Sequence, residues 1–192
     1  MSTPVTPELV ATRLRDLAHL AEQAAAALPT QVATAAGLVR ETLAGGGTLF
    51  FCGNGGSAAD AQHIATEYVV RYMRNRRALP AIALTTDTSL LTAAGNDLGF
   101  DEVFARQVEA LVRAGDLLVI HSTSGTSPNV LRAAEAARAK GARVLALTAR
   151  GGGRLRDLAD VSIIVPTDRS DRAQELHLCI QHVICEMVEA DA

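Results

Sequence analysis

Between Phe50 and Glu67 an apolar run gives way to Gly53-Asn54-Gly55-Gly56-Ser57 and then to a helical pattern that carries His63 and Glu67 four residues apart. Adjacent glycines let a backbone take positive φ and approach a ligand closely, and the amides that open a helix have no intrahelical acceptors. Such amides suit a phosphate or an oxyanion. Ser57 reads as the N-cap of that helix, with Asp60 three residues on at the capping-box spacing. A helix so phased puts His63 and Glu67 on one face, as a metal-binding or acid–base pair.

A second chemical loop is Ser122-Thr123-Ser124-Gly125-Thr126-Ser127-Pro128-Asn129. It sets hydroxyls on both sides of a glycine, and Ser127-Pro128 reads as an N-cap and first helical residue. Hydroxyl donors and free helix amides make a phosphate site without a lysine. Asp87 and Thr88, and further on Gly95-Asn96-Asp97, add polar groups that ordinary turn chemistry also explains. Residues 171–189 read as one helix with an apolar face of Leu176, Ile180, Val183, Ile184 and Met187. The same helix carries Gln174, His177, Gln181 and His182, a density of polar groups that usually means a solvated face. His182 matters because divalent metal sites are assembled from imidazole and carboxylate ligands on different elements.

The elements that must position these residues alternate. Residues 48–52, 81–85, 117–121, 143–148 and 161–165 are largely apolar, as strands covered on both faces are. Helical patterns such as 130–140, ended by Gly141, lie between them. This is the βαβ rhythm of an α/β fold, a five-stranded parallel sheet flanked by helices. The serine-rich loop then falls at the carboxyl end of a parallel strand, where open α/β sheets bind ligands. Two helical segments come first, residues 7–28 and 31–43, broken near Pro29. In the first, Val10, Leu14, Leu17, Ala21, Ala24 and Leu28 follow steps of four and three, a seam for another helix. That seam packs either on the chain's own sheet or on another subunit. The whole, 1–192, reads as one domain, with residues 1–45 as a helical oligomerisation segment and 46–192 as the α/β core.

Composition narrows the function. A net charge of −3 with scattered lysines and arginines gives no basic stripe, which argues against nucleic acid. Trp is absent, so there is no stacking platform for bases. No segment resembles a membrane span or a signal peptide, and the expected location is the cytoplasm. Cys52, Cys179 and Cys185 lack C-x-x-C spacing and are expected as reduced thiols.

Together, Cys52 to His63, Leu84-Thr85-Thr86-Asp87-Thr88-Ser89, Gly95-Asn96-Asp97, Ser122-Thr123-Ser124-Gly125, Ser127-Pro128-Asn129 and Gln174-Glu175 with His177 and His182 closely resemble the phosphoheptose isomerase family. This is the sedoheptulose 7-phosphate isomerase branch of the SIS (sugar isomerase) fold, a flavodoxin-like α-β-α sandwich. The resemblance runs in order along nearly the whole chain. It implies conversion of sedoheptulose 7-phosphate to D-glycero-D-manno-heptose 7-phosphate for heptose biosynthesis, in a homotetramer whose active sites lie between subunits around a zinc ion. The implied zinc ligands are His63, Glu67, Gln174 and His182. The implied substrate contacts are Asn54, Gly55, Gly56 and Ser57 in the first loop, Glu67, Asn96, Asp97 and Gln174, and Ser122, Thr123, Ser124 and Ser127 around the phosphate. Two positions depart from the family pattern: His121 stands where an apolar or small residue is usual, and Thr126 where asparagine is usual.

Moving a carbonyl between C2 and C1 requires a base and an acid across an enediol-like intermediate. Glu67 is the candidate base and His182 the candidate acid. On a straight helix Gln174 and His182 are separated by about 12 Å of rise and about 80° of rotation, so one ion does not easily reach both. Three other readings compete: a non-catalytic SIS-fold regulator of the replication-initiation type, an SIS isomerase for another phosphosugar, and a dinucleotide-binding Rossmann protein. The first loop also fits G-x-G-x-x-A, but the acidic residue expected about 20 positions on has no clear counterpart.

Overall fold

The computed structural model describes residues 5–190. Five strands form one parallel sheet: β1 Leu49–Gly53, β2 Ala81–Ala83, β3 Leu117–Ser122, β4 Arg143–Thr148 and β5 Val161–Ile164. Their order is β2-β1-β3-β4-β5. From β1 the chain steps outward to β2, then returns to the other side of β1 as β3. The sheet order reverses between β1 and β3, and the crevice beyond their carboxyl ends is where such sheets take ligands. In the β1–β3 register Gly53 pairs with His121, so the glycine-rich and serine-rich loops leave the sheet side by side.

β1 and β3 are buried along their whole length, which is why they read as unbroken apolar runs. β2 is shorter than the five residues expected, and Ile82 is exposed. It lies at the sheet edge and pairs only with β1, so full coverage was the wrong expectation there. Alternation along β3 sorts two cores. Leu117 and Val119 pack with α1 (Pro7–Ala27), α2 (Pro29–Ala44), α3 (Gly56–Val69) and α8 (Ser170–Glu189). Leu118 and Ile120 pack with α4 (Thr88–Asp97), α5 (Ala105–Leu111), α6 (Pro128–Ala139) and α7 (Leu155–Leu158). The site helices α3 and α8 therefore share one layer against one sheet face.

At the start of α1, Thr6 accepts from the Leu9 amide at 3.2 Å and Pro7 occupies the first turn. Pro29 opens α2, two residues earlier than expected, because its fixed φ suits a first helical residue. The seam of α1 divides: Ala24 and Leu28 are buried in this chain and Leu17 and Ala21 pack partly buried against the same core, while Val10 and Leu14 are exposed at 55% and 62%. Four of the six seam residues meet the chain's own core, and the two at the start of the helix stand exposed.

The capping expectation for α3 is corrected. Gly55 is the N-cap, at φ 59°, and the helix begins at Gly56 with no side-chain cap. The left-handed turn starts the helix two residues early, so Ser57 enters the first turn and is buried, and Asp60 is not part of a capping box.

Candidate active site

α3 and α8 bring His63, Glu67 and His182 together. Nε2 of His63 lies 3.1 Å from Nε2 of His182 and 3.3 Å from Oε1 of Glu67. All three ligand-type atoms fall within 4.8 Å of one another. Two imidazole nitrogens and a carboxylate oxygen suit a divalent N/O ion, and tetrahedral bonds of 2.0–2.1 Å would set ligand atoms about 3.4 Å apart. The donor set and its spacing therefore fit a metal. His182 is held below the usual histidine range, first by burial and then by His63, with Glu67 opposing. Both effects favour the neutral ring that ligates. Asp60, one turn before His63, is pushed up to about 6 by burial, with His63 opposing.

A strap behind the triad fixes its back face. Tyr72 stacks on His182 with ring centroids 5.4 Å apart and an interplanar angle of 19°. Its amide and those of Met73 and Arg74 donate to the Glu189 carboxylate at 3.0, 2.7 and 2.7 Å. Arg76 pairs with Glu189 at 3.2 Å and donates to the carbonyls of Glu67 and Tyr68 at the end of α3. Sequence inspection passed over Tyr72, Arg76 and Glu189, because a strap read residue by residue is a charged loop.

The serine-rich loop borders a small polar cavity of about 70 Å³. Ser122, Thr123, Ser124 and Ser127 line it with Asn54 and Ser57, and Gln174 and His121 complete the wall. The two loops are tied by reciprocal amide bonds between Asn54 and Asn129, 2.9 and 2.8 Å. Ser127 is the N-cap of α6 as expected, but its hydroxyl makes no capping bond. Gly125, at φ 64°, sits so close to the next loop that a Cβ would lie 1.9 Å from the Gly152 carbonyl. Only glycine fits there. Leu155 N donates to Gly125 O at 2.9 Å and Ala149 N to Thr123 O at 3.2 Å, so the serine loop is held by its backbone.

Gln174 belongs to this second cluster within the chain. Its amide lies against Gly56, where a Cβ would come 2.5 Å from Oε1. It stands in the second turn of α8, inside the same regular helix as His182. Asn96 and Asp97 end α4, exposed, with Asn96 Nδ2 donating to Asp97 Oδ1 at 2.7 Å. They do not line the serine-loop cavity of their own chain. His121 is fully buried: Gln181 Nε2 lies 3.0 Å from its Nε2, and burial holds the ring neutral with a pKa of about 3. The three cysteines are free thiols, and burial pushes Cys185 up to about 12.

Residues 14–149 match the SIS domain family. The phosphoheptose isomerase of Rhodospirillum rubrum is 53% identical over 158 residues, covering 82% of this chain and 84% of that protein. The chain belongs to the phosphoheptose isomerase family of SIS domains. Among solved structures, a phosphoheptose isomerase from Neisseria gonorrhoeae superposes with a TM-score of 0.90 at 45% identity, covering 95% of this chain and 98% of that one. Another from Francisella tularensis gives 0.94 at 35% identity, covering 98% and 100%. Both loops and both site helices lie inside the shared length, so the family resemblance read from the motifs extends to the fold that positions them. No helix among the described residues is long and apolar enough to cross a membrane.

Proposed function

We infer that this member of an isomerase family converts sedoheptulose 7-phosphate to D-glycero-D-manno-heptose 7-phosphate. The observation that carries the reading is the joint placement of two clusters along α3: a polar cavity at its first turn and an acid–base triad beyond it. Ser57 and His63 are six residues apart, about 9 Å along the helix, a span for a sugar phosphate held at one end and reacting at the other.

Ser122, Thr123, Ser124 and Ser127 hold the phosphate, and binding energy there orients the reacting carbons. Asn54, Ser57 and the amides of Gly55 and Gly56 face the sugar. Glu67 removes the proton from C1, and a proton returns to C2 on the same face of the enediol. His182 gives and takes the proton at the sugar oxygens. Tyr72, stacked on His182, limits the ring's rotation and shields it from water. Zinc, the ion implied by the family, would be held by His63, Glu67 and His182 and would polarise the two oxygens. Gln174 is assigned first to substrate; as a fourth ligand it would reach the ion from another subunit.

The assembly is read as a homotetramer in the cytoplasm. The exposed Val10 and Leu14 of the α1 seam and an apolar cleft of about 390 Å³ between α1, α2 and α8 support an oligomer that covers them. In it Asn96 and Asp97 would serve a neighbour's site. The test is incubation of purified protein with sedoheptulose 7-phosphate, with and without a chelator, following aldose formation. Conversion that stops with chelator is expected. No conversion by the zinc-loaded protein, or faster conversion of another phosphosugar, overturns the reading in favour of a regulator or a different isomerase.

A further inference from the structure

The cavity under the serine loop has no cation in its wall. A phosphate there would be bound by hydroxyls and amides alone unless charge reaches it from further back. Arg150 is placed to supply it. It is the one non-glycine among the described residues with positive φ, 49°, although three glycines follow it directly. A side chain there is held at a backbone cost that glycine would avoid. Its guanidinium donates from Nε to the Asp168 carbonyl at 2.9 Å and from Nη2 to Ser170 Oγ at 3.0 Å. Ser170 Oγ lies 3.3 Å from Thr123 Oγ1, and Thr123 lines the cavity.

The direction of this chain follows from what each group can give. A guanidinium has only N–H donors, so the Ser170 oxygen accepts from Arg150. Thr123 Oγ1 donates to Ser170 Oγ, whose two lone pairs take both bonds, but the hydroxyl pair can reverse: with its oxygen held by Arg150, Ser170 can turn its proton to Thr123 Oγ1, which frees the Thr123 proton for the cavity. Between the two hydroxyls alone either direction is allowed, and the hydrogen positions follow the network. With an anion in the cavity, every donor aims at it, and each bond polarises the next. We propose that Arg150 is a positioning residue which, through Ser170, orients and polarises the Thr123 hydroxyl toward the phosphate of the substrate.

The proposal rests on the serine loop being the phosphate subsite, so its test uses inorganic phosphate and needs no turnover. Calorimetry measures phosphate affinity of the native protein, Arg150→Met, Ser170→Ala, the double variant and Arg150→Lys, each with its melting temperature. Arg150→Met and Ser170→Ala are each expected to weaken phosphate roughly three- to tenfold, and the double variant no further than the weaker single. Arg150→Lys, which keeps the charge, should recover most of the loss. In turnover the same variants should raise KM with kcat little changed. Native-like phosphate affinity in Arg150→Met, or strictly additive losses, overturns the role of Arg150 while leaving the isomerase reading intact. A lower melting temperature with unchanged phosphate affinity and KM makes Arg150 merely structural and likewise overturns it. Failure of the native protein itself to bind phosphate removes the subsite, and the proposed function with it.

Discussion

Nε2 of His63 and Nε2 of His182 stand 3.1 Å apart, although 119 residues separate them in the chain. Two neutral rings cannot both present lone pairs to each other at that distance without a proton or a cation between them. A divalent ion satisfies both at once, and Glu67 adds the negative charge. Zinc should therefore stabilise the metal-free protein, by about 2.7 kcal/mol at a hundredfold excess over Kd, read as a rise in Tm. His182→Ala should abolish that rise. Acid should reverse it, since protons compete for both imidazoles. Unchanged zinc affinity in Gln174→Ala would restrict Gln174 to the substrate side. A native protein whose Tm ignores zinc would remove the metal from the site.

Glu67 has two tasks in this reading, and Glu67→Gln separates them from phosphate binding. The amide cannot take a proton, so turnover should fall by roughly 10²- to 10⁴-fold or more. The cavity beneath Ser122 to Ser127 is at the other end of α3, so phosphate affinity should stay within about twofold. Steady-state kinetics and calorimetry on one preparation check both. Near-normal turnover would take Glu67 out of the proton transfer.

How much of this was legible depended on how local the cause is. β1 and β3 read correctly because burial on both faces leaves no polar position to interrupt them. His63 and Glu67 were legible because four-residue spacing fixes a shared face whatever the rest of the fold does. Ser57 was misread as a cap because the start of α3 is decided by a left-handed turn at Gly55, two residues earlier. Arg150, Glu189 and the strap at 72–76 were illegible. Their partners lie on other elements, and before folding each is one more charged residue on a helix or loop.

Glu189 is the anchor of that strap. Burial alone would push its carboxyl up, but three backbone amides and Arg76 bring it below the usual range. Glu189→Gln leaves Arg76 buried without its counter-charge, and loss of one partner of a buried pair costs about 3–5 kcal/mol. The strap should loosen, releasing Tyr72 from His182 and Arg76 from the carbonyls of Glu67 and Tyr68. The expected result is a lower Tm together with weaker zinc binding. Loss of Tm with native zinc affinity would show that the strap supports the fold and not the triad.

Acid stability tests the buried rings. Burial lowers His121 to about 3 and His177 to about 4, from 6.5 in an unfolded chain. The unfolded state therefore takes these protons first. Their stability is complete above pH 6.5 and is lost as pH falls toward 4, at about 1.4 kcal/mol per pH unit for each ring. Asp60 works the other way, because its carboxyl is raised and the folded state takes that proton first, but it is half exposed and its effect is weak. Chelated protein should thus lose stability from pH 6 to pH 4 with a net uptake of one to two protons on unfolding. Gln181→Leu alone strands the His121 ring nitrogen and should cost about 1–3 kcal/mol at pH 7. The double replacement His121→Leu with Gln181→Leu removes both polar partners, and should restore stability at pH 7 while flattening the acid slope by about one proton. A double variant as acid-sensitive as the native chain would mean that His121 is not one of the groups that titrate on unfolding.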